Sequence, residues 1–216
     1  MTIRHHLTDQ LLMAYAAGEL PEAFSLVVAT HVSLCDECRA RLESFETLGG
    51  AVLSQTEGAT LADDSLAATM ALITEGDTDT ASRPRPRRRQ GICPAPLAEY
   101  VGGGPDAVKW RRIGGGVRQA LLPGTDDTQA RLLHIPAGVA VPEHSHRGIE
   151  LTLVLQGAFR DEYDRFGPGD VEIASETDEH TPIAEPGLDC ICLAATDAPL
   201  RFNALLPRIV QPIFRI

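Results

Sequence analysis

The chain of 216 residues has no long apolar run and no excess of basic residues. None of its apolar stretches approaches the roughly 18 residues that a membrane span needs, so we expect no membrane partner. The formal charge of -11 argues against direct binding of nucleic acid, because a protein of that kind carries a basic face. No apolar secretion signal opens the sequence, and the five cysteines are an odd number. We therefore predict a cytoplasmic protein whose thiols stay reduced and free to bind metal.

Three residues of metal-ligand type lie close together near the start of the chain. His31, Cys35 and Cys38 form an H-x3-C-x2-C string, and a histidine pair, His5 and His6, precedes it. A structural zinc site needs four such ligands in a tetrahedron, of which the string supplies three and the pair can supply one. The spacing fits either one continuous helix or a helix break shortly before the first cysteine, with both thiols at the start of the next helix.

The Cys-x2-Cys pair taken alone is also compatible with two roles that involve no metal. A thioredoxin-like redox pair needs a βαβ context, whereas the flanking segments here have the pattern of helices. Two buried cysteines on an amphipathic helix are also common. The histidine at helical spacing before the pair favours metal, and we predict a structural zinc site with four protein ligands.

A second group of histidines lies far downstream, among strand and turn signals. His144, His146 and Glu150 fit the pattern G-x5-H-x-H-x3-E-x6-G, and His180 follows a Gly-Pro-Gly-Asp turn. A surface position would account for each residue by itself, but the spaced set indicates a mixed nitrogen and oxygen site for a divalent metal. We expect zinc here, and manganese, iron and nickel accept the same ligands.

The distribution of turn and periodicity signals predicts an α+β chain of two domains. Residues 1–75 carry the helical spacing and capping signals of four short helices. Residues 76–91 contain prolines and five arginines but no large hydrophobic side chain, which predicts a flexible linker. Residues 92–216 alternate turn signals with short apolar strands, a pattern typical of an antiparallel barrel or jelly roll. We expect a self-contained core on each side of the linker.

Two family resemblances rest on these motifs. The string HH-x-T-D-x-L-L-x-x-Y-A-x-G-E-L, followed by H-x3-C-x2-C, resembles the zinc-binding anti-sigma domain. The segment 138–157 resembles the first cupin motif, and Gly169-Asp170 with His180 resembles the second, although the Asn that usually follows the histidine is absent. Together they resemble the ChrR-type zinc-binding anti-sigma factors, which carry a C-terminal cupin jelly-roll barrel. The resemblance implies His6, His31, Cys35 and Cys38 as zinc ligands, and His144, His146, Glu150 and His180 as ligands of the second metal.

The resemblance also implies a function. A protein of this family binds one extracytoplasmic-function sigma factor, inhibits it, and releases it in response to singlet oxygen or a related oxidant. The helical domain would make the inhibitory contact and the cupin domain would be needed for the response. The acidic balance of residues 1–75, with three basic and eleven acidic side chains, suits a basic partner. We therefore predict a regulator and not an enzyme.

Two further functions stay open on the sequence alone. A cupin with three histidines and one glutamate is also suited to a metal-dependent dioxygenase, with the helical domain as a zinc-stabilised adaptor. A metal-sensing module without oxidant chemistry is the third hypothesis.

Overall fold

The N-terminal part of the chain is helical and the C-terminal part is a β-structure, as the sequence predicts. The computed structural model describes residues 2–75, 92–103, 105–124, 128–198 and 201–202. The predicted linker, residues 76–91, lies outside the described residues, so its extended character and the domain boundaries stay predictions.

Four helices form the N-terminal part: α1 (Asp9–Ala16), α2 (Glu22–Val32), α3 (Asp36–Ser54) and α4 (Ser65–Glu75). The hydroxyl of Thr8 caps α1 by accepting a hydrogen bond from the N–H of Leu11, as the capping signal predicts. The third helix begins at Asp36, and the preceding residue, Cys35, serves as its N-cap. Among the described residues, no helix is long and apolar enough to cross a membrane.

In the residues that the structure describes, the C-terminal part opens with the short helix α5 (Ala95–Tyr100) and a 3-10 turn (Pro105–Ala107) and continues as twelve strands. The strands are β1 (Arg111–Gly114), β2 (Val117–Leu121), β3 (Gln129–Ile135), β4 (His144–Ser145), β5 (Glu150–Gln156), β6 (Phe159–Arg160), β7 (Arg165–Phe166), β8 (Val171–Ala174), β9 (Glu179–His180), β10 (Ile183–Ala184), β11 (Cys190–Thr196) and β12 (Arg201–Phe202). They pair antiparallel in a six-stranded sheet, β1-β2-β3-β11-β5-β8, and two three-stranded sheets, β10-β6-β7 and β12-β4-β9. The predicted β-structure of cupin type is confirmed.

The central strands of the six-stranded sheet, β5 and β11, are buried on both faces. Alternate residues of a strand point to opposite sides of the sheet. On the outer face, Leu151 and Leu193 belong to a cluster that includes helix residues. On the inner face, Cys190, Cys192 and Val154 belong to a second cluster inside the barrel. Both cysteines therefore pack on the inner face of their strand.

One hydrophobic cluster joins the helices to the sheet. Phe24, Val27 and Val28 of α2 lie in the same buried cluster as Leu151 and Leu193 of the sheet. Full burial of each such side chain contributes about 1.5–3 kcal/mol. The expectation of two self-contained cores is therefore wrong, because the outer face of the sheet covers α2 and the two parts share one core.

Candidate metal centres

The first candidate centre gathers four side chains from three segments. His6 precedes α1, His31 lies in the last turn of α2, and Cys35 and Cys38 stand at the start of α3. Their ligand atoms all lie within 4.8 Å of one another. His6 Nδ1 is 3.3 Å from Cys35 Sγ and 3.6 Å from Cys38 Sγ. Two imidazoles and two thiols in this arrangement can hold one metal ion.

A helix break brings the thiols to the imidazoles. α2 ends at Val32 and α3 begins at Asp36, so the second of the two arrangements left open by the sequence is the one that occurs. Cys35 Sγ accepts a hydrogen bond from the N–H of Cys38 at 3.5 Å. The N–H groups at the start of a helix favour the thiolate form, which is the form that binds metal.

The hydrogen bonds of the two imidazoles fix which nitrogen faces the thiols. His31 Nδ1 donates to the carbonyl of Gly169 at 3.0 Å, and the buried Nε2 has no hydrogen-bond partner among the described residues. His6 Nε2 lies 3.5 Å from the carboxylate of Glu37, which leaves Nδ1 for the cysteines. A metal ion would satisfy the orphaned Nε2, so these residues fit the zinc that the motif implies.

Burial sets the protonation of this centre. It lowers the pKa of His31 to about 4, so the imidazole is neutral at pH 7 and its lone pair is ready for a metal. Burial, with Cys35 beside it, raises the pKa of Cys38 to about 11, so the thiol is protonated when no metal is bound. Metal binding must therefore release a proton from this site.

His5 points away from the cysteines and towards the barrel. Its Nε2 lies 3.0 Å from Asp164 Oδ2, and its ring centroid is 4.4 Å from that of Phe166. The structure thus brings His6 and not His5 to the thiols, in the arrangement that the resemblance implies.

A turn of the barrel holds the segment that carries His6. Asp170 is buried, and its carboxylate accepts hydrogen bonds from the N–H groups of Arg4 at 2.6 Å and of His5 at 3.0 Å. It also accepts one from the N–H of Gly167 at 2.8 Å, which closes the turn between β7 and β8. The turn that belongs to the second cupin motif therefore orients the N-terminal segment just before its metal-ligand residue.

The same turn orients the second imidazole. Gly169 adopts a φ of 89°, a conformation that favours glycine, and its carbonyl accepts the hydrogen bond from His31. A cavity of about 430 Å³ lies alongside and is lined by His6 on one side and by His180 of the barrel on the other. The barrel thus supplies outer support for the N-terminal centre.

Removal of the Asp170 carboxylate should weaken metal binding at the N-terminal centre. We expect Asp170→Ala to lower the affinity for cobalt roughly 10–100-fold, as is usual when the outer support of a metal ligand is lost. Cobalt titration of the full chain measures this affinity. Of the two candidate centres, only the N-terminal one has cysteine ligand atoms, and these give a thiolate-to-cobalt absorption band.

The matched control is Asp178→Ala. Asp178 closes the next turn of the barrel through hydrogen bonds to the backbone and hydroxyl of Ser175, so its loss is a comparable local change. Equal cobalt affinity in the wild type and in the Asp170 variant would contradict this role.

The second candidate centre lies inside the barrel. His144 in β4, His146 just after it and His180 in β9 are all buried. His180 Nε2 is 3.2 Å from His144 Nε2 and 3.3 Å from His146 Nε2, so three ring nitrogens converge. β4 and β9 are paired with His144 opposite His180, which explains the convergence. Three imidazoles in this geometry can hold a metal ion.

An oxygen atom stands behind each imidazole of this group. His144 Nδ1 is 2.9 Å from the carbonyl of Pro142, His180 Nδ1 is 2.9 Å from Glu172 Oε1, and His146 Nδ1 is 3.1 Å from Glu150 Oε2. These oxygens favour a proton on each Nδ1, which leaves the three Nε2 atoms for a metal.

The fourth predicted ligand, Glu150, is buried at the start of β5. Its carboxylate contacts the outer nitrogen of His146 and does not belong to the group of three converging ring nitrogens. Hydrogen bonding to His146 and the nearby charges outweigh burial and hold the pKa of Glu150 below its usual range. It is therefore an ionised buried carboxylate beside the centre, and its role as a ligand stays a prediction.

Two further carboxylates stand behind His180. Glu172 accepts from His180 Nδ1, and Asp161 Oδ2 lies 3.3 Å from the same nitrogen. Burial alone would lower the pKa of His180, but these two carboxylates outweigh it and raise the pKa to about 9. Burial raises the pKa of Glu172 to about 7. Without a metal, His180 is therefore a cation whose charge the carboxylates balance.

The sequence analysis missed Asp161 and Glu172. The sequence signal for Glu172 is its place between the apolar Val171 and Ile173 of β8. In the structure Glu172 is 8% exposed and Ile173 is 38% exposed. A charged side chain on the inner face with isoleucine outside it reverses the usual pattern of a half-buried strand. Asp161 lies in a turn and offers no such signal.

Comparison with known proteins gives relatives of the same architecture. A family model described as the ChrR cupin-like domain matches residues 100–198. The anti-sigma-E factor ChrR of Cereibacter sphaeroides is 62% identical over 217 residues, and the match covers 100% of both chains. A chain in the crystal structure of Rhodobacter sphaeroides SigE in complex with the anti-sigma ChrR is 59% identical, with a TM-score of 0.80, and the match covers 91% of this chain and 100% of that one.

Proposed function

The chain belongs to the ChrR family of anti-sigma factors, and from this membership we propose that it binds an extracytoplasmic-function sigma factor one to one and inhibits it. Such a protein is a transcription regulator and not an enzyme. The full-length relationship therefore disfavours the alternative of a cupin dioxygenase with a helical adaptor, because the fold of a cupin does not by itself imply catalysis.

An exposed apolar surface on the helices carries the proposal. It consists of large hydrophobic side chains of α3, α4 and the segment between them, each between 53% and 75% exposed: Leu48, Val52, Leu53, Leu61, Leu66, Met70, Leu72 and Ile73. We call these eight residues the apolar helix surface. Every residue of α4 is at least partly exposed, so no side chain of this helix is fully buried against the described part of the chain. A concentration of exposed large apolar side chains of this kind indicates a protein interface.

The charge of the helical part fits the same partner. Residues 1–75 carry eleven acidic and three basic side chains, whereas a sigma factor must present basic surfaces to DNA. Complementary charge speeds the encounter, and the apolar helix surface then supplies the buried area.

Within this proposal, zinc in the N-terminal centre is structural. His6, His31, Cys35 and Cys38 would fill all four positions of a tetrahedron and leave no open site for a substrate. The metal would tie the N-terminal segment, α2 and α3 together in a region of short helices.

The barrel centre would hold a second divalent metal through His144, His146 and His180, with Glu150 as the fourth ligand. Zinc is the metal we expect, and manganese, iron and nickel suit the same set.

We further propose a division of labour along the chain. The helical domain, residues 1–75, makes the inhibitory contact, and the cupin domain, residues 92–216, is needed for release in response to singlet oxygen or a related oxidant, with residues 76–91 as the linker. The complex forms in the cytoplasm, where a sigma factor acts. The hydrogen bonds of the barrel turn to the N-terminal segment and to His31 support a path between the two centres.

If the barrel centre senses the oxidant, loss of Glu150 and loss of the thiols of Cys190 and Cys192 should affect the oxidant response differently. Glu150→Ala should leave sigma binding intact and abolish most of the oxidant response, because the variant loses a carboxylate beside the imidazoles. Cys190→Ser with Cys192→Ser should respond normally. The hydrogen bond shared with Cys190 and burial hold the pKa of Cys192 well above its ordinary value, so its reactive thiolate is scarce.

The measurement is sigma-dependent transcription with and without oxidant, with Glu185→Ala as the carboxylate control. Glu185 pairs with Arg165 on the surface, away from the imidazoles. A normal response in Glu150→Ala together with a lost response in the cysteine variant would assign sensing to the thiols.

The proposed partner can be tested directly by mixing the purified chain with extracytoplasmic-function sigma factors from its own organism. Size-exclusion chromatography with light scattering should show one complex with the mass of one copy of each protein. Elution of the two proteins apart, for every such sigma factor tried, would refute the proposal.

A further inference from the structure

One rung of the barrel contains a buried arginine that the metal centres do not use. Arg131 in β3 pairs with Ala194 in β11, which pairs with Thr152 in β5, which in turn pairs with Glu172 in β8. Directly paired residues of an antiparallel sheet point to the same side. Since the carboxylate of Glu172 reaches His180, the whole rung faces the barrel interior.

The side chain of Arg131 is buried with part of its guanidinium unsatisfied. The residue is 4% exposed, and Nε and Nη1 have no hydrogen-bond partner among the described residues. An arginine is fully buried in a folded protein only rarely unless its charge is paired. Burial lowers the pKa of Arg131, and the charge of Glu150 opposes that effect from a distance. The planar guanidinium is a fork of donors, and such a fork with unused donors on two of its nitrogens is a usual recognition element for a carboxylate.

The side chains next to this fork on the rung are short. Three strand spacings of about 4.8 Å separate the backbones of Arg131 and Glu172, and only the short side chains of Ala194 and Thr152 stand between them. Further along the same face lie Thr196 and Glu150, which are paired with each other. A small polar molecule placed here meets a guanidinium at one end and hydroxyl groups along its side.

We propose that the barrel interior binds a small organic carboxylate, whose carboxylate group rests on Arg131 and whose other end faces His144, His146 and His180. Nothing in the proposed binding of a sigma factor requires this site. It gives the cupin domain a ligand of its own and places that ligand between the arginine and the metal centre.

The test is isothermal titration of the full chain with glycolate and with acetate. Arg131→Met keeps the length and bulk of the side chain and removes the fork, and it should weaken glycolate binding roughly 10–100-fold, the effect of a lost charge-assisted hydrogen-bond pair. Arg131→Lys keeps the charge without the fork and should bind with intermediate affinity. Arg118→Met is the control, because Arg118 lies on the same sheet with its side chain against His134, and it should bind as the wild type does.

Thermal unfolding without added carboxylate separates a binding role from a structural one. An arginine that waits for a ligand is an unpaired buried charge, so Arg131→Met should unfold at the wild-type temperature or above it. An arginine that serves as a structural counter-ion would make both variants unfold earlier, and that result would overturn the proposal.

The proposal is equally overturned if the wild type binds neither carboxylate, if Arg131→Met and Arg131→Lys keep wild-type affinity, or if chloride and sulfate at the same ionic strength produce the same heats. Metal content of the same samples, measured by elemental analysis, reports separately on the proposed metal centre.

Discussion

Replacement of one thiol, in Cys38→Ser, should remove the N-terminal zinc and abolish binding of the sigma factor. Cys38 is fully buried and contacts His6, so a serine hydroxyl at this position offers zinc a much poorer ligand in a site that has no spare one. A structural zinc contributes about 10–16 kcal/mol to the folding of a small site, and most of this would be lost. Zinc content by elemental analysis and sigma affinity by titration measure the two effects.

The control for this variant is Cys93→Ser. Cys93 is also buried and packs in the same hydrophobic cluster, but it lies outside the group of four ligand atoms. It should keep both its zinc and its partner. Retention of zinc in Cys38→Ser would show that the four side chains do not form the site, and retention of sigma binding without zinc would show that the metal does not support the interface.

Two acidic substitutions on α4 should weaken sigma binding roughly 10²–10³-fold and leave the free protein as stable as before. In Met70→Asp with Ile73→Asp, both side chains belong to the apolar helix surface and lie on one face of the helix at a spacing of three. Residues at the centre of an interface typically contribute about 2 kcal/mol or more each, and a buried unpaired carboxylate adds to the loss. Since these side chains are exposed in the free chain, folding does not depend on them.

The matched control is Ala68→Asp, on the opposite face of the same helix. Ala68 is also exposed, and its substitution adds one negative charge, as each of the other two substitutions does. It leaves the side chains of the apolar helix surface unchanged. Calorimetric titration with the sigma factor gives the affinities, and thermal unfolding gives the stabilities. If Ala68→Asp weakened sigma binding as much as the double variant does, the loss would be a general effect of charge. If the double variant bound the sigma factor as tightly as the wild type, α4 would not be part of the interface.

Much of the fold could be predicted because local signals and global structure agree. The cap at Thr8, the start of α2 after Pro21 and the apolar runs of β3 and β5 all follow from capping, backbone restriction and burial. The shared core could not be predicted in this way, because periodicity does not tell which element covers an apolar face. A hint was present in α2, where Leu26, Val28 and Thr30 are buried in addition to the face of Phe24, Val27 and His31. The buried arc covers about half of the circumference, so the helix needs cover from more than its neighbouring helices.

The candidate centres show the same limit. Spacing was enough to group His31 with Cys35 and Cys38, because all lie within two turns of helix. It was also enough to bring His144 close to His146. The carboxylate of Asp161 and the guanidinium of Arg131 come from distant segments, and only the pairing of strands shows that they face the barrel interior.

The contact between the two parts also defines what release must change. The turn at Asp170 and the α2 face that packs on the sheet both hold the helical part against the barrel. Any signal from the barrel centre can reach the apolar helix surface only through these contacts or through the linker. Variants at Asp170 therefore test the coupling, whereas variants at α4 test the partner contact alone.

Transcription in a purified system tests the central claim most directly. RNA polymerase is supplied with the extracytoplasmic-function sigma factor and its promoter, and the full chain is added in increasing amounts. The account predicts that transcription falls to background at one equivalent of chain per sigma factor, while transcription with the housekeeping sigma factor is unchanged. Transcription that continues undiminished at a large excess of folded, zinc-loaded chain would contradict it.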